Sequence, residues 1–186
     1  MKLSIGTAQF GFNYGICNNS GIIKKKEAIK ILEFCKQKKI NSIDTAQGYA
    51  KSHSVLGSMN LKKFKITTKI LIEKKIGNKD LESYVFTQIN KILKQLNTKN
   101  IYAVLIHNPN ELKNKFGRQF YEVLKKLKKR KKVNRIGVSV CKAAGLHLLY
   151  LCLMSSRYGL LEQHIDTHQK KQHLQKVCRL IFSFRH

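Results

Sequence analysis

The chain has 186 residues, a hydrophobic share of 42% and a formal net charge of +27 at pH 7. Its length allows one buried core, and a charge so far from neutral favours contact with polyanions while saying nothing about fold. Five cysteines, an odd number with no C-x-x-C pair, exclude a disulfide framework. The opening MKLSIGTAQF has no run of signal-peptide length. The longest apolar stretch, Ala143 to Met154, is shorter than the ~20 residues that cross a bilayer, so a cytoplasmic protein with no membrane partner is expected.

In chain order, short apolar runs predict strands over Leu3–Ala8, Ser42–Thr45, Phe64–Lys69, Tyr102–His107 and Arg135–Val140. Helical spacing fills most of the gaps. Ala28, Ile31, Leu32 and Cys35 share one helix face. A second face holds Leu81, Val85, Ile89, Ile92, Leu93 and Leu96, and a third holds Phe120, Val123, Leu124 and Leu127. Between strands two and three only a short helix near Ser52–Met59 fits. Alternation of strand and helix predicts an α/β fold with a parallel sheet, either part of a (β/α)8 TIM barrel with about five βα units or an open five-stranded sheet.

The rhythm stops after about Val140. From Cys141 onward there is no Asn, and this stretch holds five of the seven histidines and three of the five cysteines. Residues 1–141 are therefore expected to form one unit and residues 142–186 an atypical tail. The tail is read as the product of a shifted frame, the alternative being an appended segment with its own role. His164 and His168 lie at i, i+4 spacing but lack the Glu of H-E-x-x-H, so no metal site is expected.

The chemistry lies at the predicted strand ends. Strand two ends at Asp44, strand three at Lys69, strand four at His107 and strand five near Ser139, while Tyr49 lies in the loop after strand two. In a βα barrel these ends converge on one mouth. A strand-end Asp is often a helix cap, and a lone His is more often structural than catalytic, so the weight rests on the four together. They suit carbonyl reduction. Hydride delivery leaves charge on oxygen, which then needs a proton, and tyrosine is a poor acid at neutral pH. A lysine ammonium ~4 Å away, at an effective dielectric of ~20, would favour the phenolate by at most ~4 kcal/mol. Asp44 would hold Lys69 charged, His107 would orient the substrate oxygen, and a cofactor would supply the hydride.

The segments IGTAQFGFNYGI, SIDTAQGYAKSHSVLG, ITTK, VLIHNP and IGVSV, in that order over residues 3 to 140, resemble the aldo/keto reductase family. The second is similar to the family's D-T-A-x-x-Y-G-x-S-E-x-x-L-G. The resemblance implies a catalytic tetrad of Asp44, Tyr49, Lys69 and His107, with Tyr49 as proton donor, NADPH as cofactor and a small aldehyde or ketone as substrate. It places Ser139 on the nicotinamide amide, and Gly6, Thr7 and Asp44 at the cofactor-facing ends of strands one and two. Ala50 stands where the family has Gly, His53 where Glu is common, and Val140 where many members have Asn. A complete barrel typically has ~250 residues. No segment matches the family's later strands, so the chain is expected to be a truncated form with weak activity or none.

The run Lys125–Lys132, KKLKKRKK, is read as a solvated helix end, and no sequence-specific nucleic-acid partner is expected. The alternative is a non-catalytic basic half-barrel that binds nucleic acid or an acidic partner. The oligomeric state is left open.

Overall fold

The computed structural model describes residues 3–16, 18–72, 80–112 and 116–139. The tail from residue 142, the boundary before it and Val140 lie outside the described residues. The elements run β1 (Ile5–Gly6), α1 (Lys25–Gln37), β2 (Ser42–Asp44), α2 (Ser52–Gly57), β3 (Lys65–Ile70), α3 (Leu81–Gln95), β4 (Ile101–Ile106), α4 (Gly117–Lys129) and β5 (Val133–Val138), with 3-10 turns at Ala8–Phe10 and Pro109–Leu112.

The five strands form one sheet in the order β1-β2-β3-β4-β5, every pair parallel. Ile5 pairs with Ile43, Asp44 with Thr67, Lys69 with Leu105 and Ile106 with Val138. A doubly wound sheet reverses its strand order part-way across. This one does not, so it is a partial TIM-barrel-like α/β fold.

Each expected strand is present with its ends shifted. Strand one is the most shortened, because the chain winds into a 3-10 turn at Ala8 after the Thr7 amide has donated to the Asp44 carbonyl at 3.0 Å. β3 lies one residue later than expected and β4 one residue earlier. β5 starts two residues earlier than expected, at Val133.

The helices bury the faces the spacing predicts. Ala28, Leu32 and Cys35 of α1 are buried and Ile31 packs partly against them. The α3 set Leu81 to Leu96 and the α4 set Phe120 to Leu127 are buried throughout. Fully burying such a side chain contributes about 1.5–3 kcal/mol. Asp80 caps α3, accepting from the amides of Glu82 at 3.0 Å and Ser83 at 3.2 Å. A hydrogen bond from the Ser83 hydroxyl, helped by these two, holds its carboxyl below the usual range.

Three helices end alike. At α1 the amides of Lys39 and Ile40 donate to Lys36 and Cys35; at α3 those of Asn97 and Thr98 donate to Lys94 and Leu93; at α4 those of Lys131 and Lys132 donate to Lys128 and Leu127. This is the Schellman pattern, whose left-handed residue is usually Gly. Here it is Lys39 (φ 57°), Asn97 (φ 49°) and Lys131 (φ 56°). Gly57 is needed for close approach, since a Cβ there would lie 1.9 Å from the Gln95 carbonyl oxygen.

In a parallel sheet every strand points the same way. The loops after the strands gather at one mouth, and the loops that enter β2, β3, β4 and β5 gather at the opposite end.

Candidate active site

Asp44, the last residue of β2, pairs in register with Thr67, two residues before Lys69 on β3. Pairing continues beyond the strands, with the Gln47 amide donating to the Lys69 carbonyl, that of His107 to Ile70 and that of Ser139 to Ile106, each at 2.8–2.9 Å. These main-chain bonds set the heights of Asp44, Lys69, His107 and Ser139 at the mouth.

Lys69 is 8% exposed and donates to both carboxylate oxygens of Asp44, at 2.7 and 2.6 Å, and to the Thr45 carbonyl at 3.3 Å. Its ammonium lies 5.3 Å from the centre of the Tyr49 ring. The Tyr49 ring meets that of His107 edge-on, with centres 6.4 Å apart. All four expected catalytic residues are thus brought together. Because Asp44 holds Lys69 so closely, Tyr49 faces an ion pair and not a bare cation. The field at Tyr49 is therefore weaker than a lone ammonium would give.

His107 is half-buried, and burial is the main cause that pulls its pKa below the ordinary value, with the Lys69 charge adding to it and Asp44 opposing. This shift favours the neutral ring. Its Nδ1 is buried and has no hydrogen-bond partner among the described residues.

The expected cofactor contacts are placed unequally. Ser139 is half-exposed at the end of β5. Gly6 is exposed, and a Cβ there would meet nothing within 4 Å, so the main chain faces open space. Thr7 is placed differently, fully buried with its hydroxyl donating to the Asp44 carbonyl at 3.0 Å. It stands behind Asp44 and fixes the β2 end.

Behind the mouth lies a polar knot that the sequence reading did not single out. The Ser52 hydroxyl, at the start of α2, lies 2.9 Å from both the Thr7 carbonyl and the Thr7 hydroxyl, and 3.1 Å from the Thr45 hydroxyl. All three side chains are fully buried. The signal was present, since Ser52 occupies the Ser of D-T-A-x-x-Y-G-x-S-E. Nearby, a Cβ on Gly11 would lie 1.8 Å from the Tyr49 carbonyl oxygen, so the first loop presses on the tyrosine loop.

Other residues near the mouth also went unnoticed. The Phe12 ring lies 6.1 Å from that of Tyr49, with Tyr14 edge-on to it at 5.5 Å. Glu111, on the turn after β4, is pushed up to about 7 by burial, partly offset by a hydrogen bond from the Ile72 main chain. Nothing in its sequence spacing marks it.

Two departures from the family pattern acquire physical content. Ala50 adopts φ 44°, the left-handed conformation that explains Gly at that position. His53 is 2% exposed, with Nε2 2.9 Å from the Thr68 hydroxyl.

The family model for the aldo/keto reductase family matches residues 2–178. The chain belongs to the aldo/keto reductase family. The matched span takes in most of the segment set apart in the sequence as a tail. No curated protein matches the chain. Among solved structures, it is similar to a Pseudomonas aeruginosa protein assigned to the aldo-keto reductases, with 27% identity, a TM-score of 0.64, and coverage of 80% of this chain and 60% of that one. A Klebsiella pneumoniae aldo-keto reductase in complex with NADPH is 18% identical, with a TM-score of 0.56 over 84% of this chain and 55% of that one. A thermostable aldo-keto reductase bound to the inhibitor epalrestat is 18% identical, with a TM-score of 0.64 over 97% and 65%. The last two show likeness of fold. The chain spans about 60% of the length of the Pseudomonas relative. No helix among the described residues is long and apolar enough to cross a membrane, and no metal-binding cluster is found among them.

Proposed function

We propose that this aldo/keto reductase chain carries an NADPH-linked carbonyl-reducing site in which Tyr49 donates the proton. The observation that carries the reading is the Lys69 ammonium, held on both oxygens of Asp44 and lying against the Tyr49 ring beside His107. When bound, the cofactor supplies the hydride. The residues suited to hold it are Gly6, whose main chain faces open space, and Ser139, half-exposed just after β5.

The chain's own residues divide the remaining work. Asp44 holds Lys69 in place through both carboxylate oxygens. Lys69 favours negative charge on the Tyr49 oxygen as its proton moves to the substrate oxygen. His107, shifted toward its neutral form and with a nitrogen unengaged by the described residues, orients that oxygen. Thr7 and Ser52 hold the end of β2 and the start of the tyrosine loop. Small aldehydes or ketones are the substrate class, and turnover by this chain is proposed to be slow.

The test is NADPH oxidation by the purified chain with a panel of small aldehydes, alongside a fluorescence titration of NADPH. The expected result is slow turnover that disappears in Tyr49→Phe while NADPH binding is retained. Turnover that survives Tyr49→Phe would remove Tyr49 as donor, and absence of NADPH binding would overturn the cofactor assignment.

A further inference from the structure

The segments that enter the strands, Lys36–Asn41, Lys62–Lys65, Lys94–Asn100 and Lys128–Arg135, contain no Asp or Glu, and more than half of their residues are Lys or Arg. All four lie at the end of the sheet opposite the candidate active site. They are also physically continuous. The Lys65 amide donates to the Asn41 carbonyl and that of Ile101 to the Lys132 carbonyl. Lys65 and Arg135 approach the same Tyr102 ring, at 5.4 and 5.3 Å, which links the starts of β3, β4 and β5.

Helix-dipole stabilisation explains cations in the last turn of a helix and no further. Lys62, Lys63, Lys132 and Arg135 lie beyond that turn. Lys39 and Lys131 occupy left-handed positions where Gly would be unstrained. None of the four segments' cations forms an ion pair among the described residues, whereas Lys30, Lys69, Lys125 and Lys126 do.

We propose that this face is a binding surface for the phosphodiester backbone of a nucleic acid, without base specificity. Adjacent strands lie about 4.8 Å apart, so the four loops span roughly 15 Å, enough to meet several phosphates. The segments also carry Asn41, Asn97, Asn100 and Asn134, and carboxamides beside cations are the groups that contact phosphate and sugar. Every apolar residue in these loops is buried or half-buried, which leaves nothing to insert at the acyl boundary of a membrane.

The experiment separates this surface from bulk charge. In one variant Lys62, Lys63, Lys131 and Lys132 become Gln. In a control Lys24, Lys25, Lys26 and Arg118, all exposed and outside the four segments, become Gln. Circular dichroism verifies the fold of both. Binding of fluorescent mixed-sequence DNA and RNA, single- and double-stranded, is followed by anisotropy across a salt series. The face variant is expected to bind at least tenfold more weakly at ~0.1 M salt, with the log–log salt slope shallower by roughly three, at 0.7–0.9 per lost phosphate contact. The control is expected to keep its slope within about one unit of the unaltered chain, as its cations make no phosphate contact. Equal losses in both variants would reduce the effect to net charge and overturn the proposal. Tighter binding to vesicles containing phosphatidylserine than to any oligonucleotide, lost in the face variant, would overturn it in favour of a membrane.

Discussion

Acid should remove the stability that His53 contributes to this protein. The ring is 2% exposed, and burial lowers its pKa from the ordinary 6.5 to about 4, with a hydrogen bond to Gln95 opposing weakly. Between those values the unfolded chain binds the proton and the folded chain does not. Stability from this group is therefore fully present above pH ~6.5 and is lost as pH falls through about 4. At about 1.4 kcal/mol per pKa unit, going from pH 7 to pH 4.5 removes about 2 to 3 kcal/mol. Glu111 acts in the opposite sense, since its carboxyl is raised to about 7 and its protonation on acidification favours the folded state. The clean comparison is therefore Glu111→Gln against Glu111→Gln with His53→Gln. Urea unfolding at pH 7 and pH 4.5 should show a larger acid loss in the first, by about 2 kcal/mol. A difference below about 0.5 kcal/mol would mean that folding does not suppress protonation of His53, and the argument from its burial would fail.

Asp44→Ala should leave a Lys69 ammonium that is 8% exposed with only the Thr45 carbonyl at 3.3 Å, a loss of about 3 kcal/mol in urea unfolding together with any carbonyl-reducing activity. Ala50→Gly should relieve the φ of 44° and raise stability by about 0.5–1 kcal/mol, read as a higher melting temperature with an unchanged circular dichroism spectrum. Gly11→Ala should drive a methyl into the Tyr49 carbonyl at 1.8 Å and displace the tyrosine loop. The expected result is a loss of activity comparable to Tyr49→Phe, and unaltered activity would show that the loop yields at no cost.

Periodicity alone located five strands and the buried faces of three long helices, because side-chain alternation and helical spacing are local properties. The strand-end rule and the ordered motifs placed Asp44, Tyr49, Lys69 and His107 at one mouth. Strand order was not legible in the spacing, since a barrel wall and a reversing sheet have the same βα rhythm. Only the pairing of each strand with its sequence neighbour separates them. The exact strand ends were not legible either, because they depend on partners far away in sequence.

Some roles belong wholly to the tertiary structure. Thr7 is buried behind Asp44 because β1 pairs with β2 and α2 brings Ser52 against both. Glu111 and His53 shift because of what covers them, which no spacing records. The cationic run Lys125–Lys132 looked like a single helix end in the sequence. The parallel sheet sets its last residues beside three other basic loops, because every loop that enters a strand must lie at the same end. Local pattern therefore determined which residues face the core and which end their strands. The sheet decided which distant residues share a site, since proximity across strands is set by pairing and not by position in the chain.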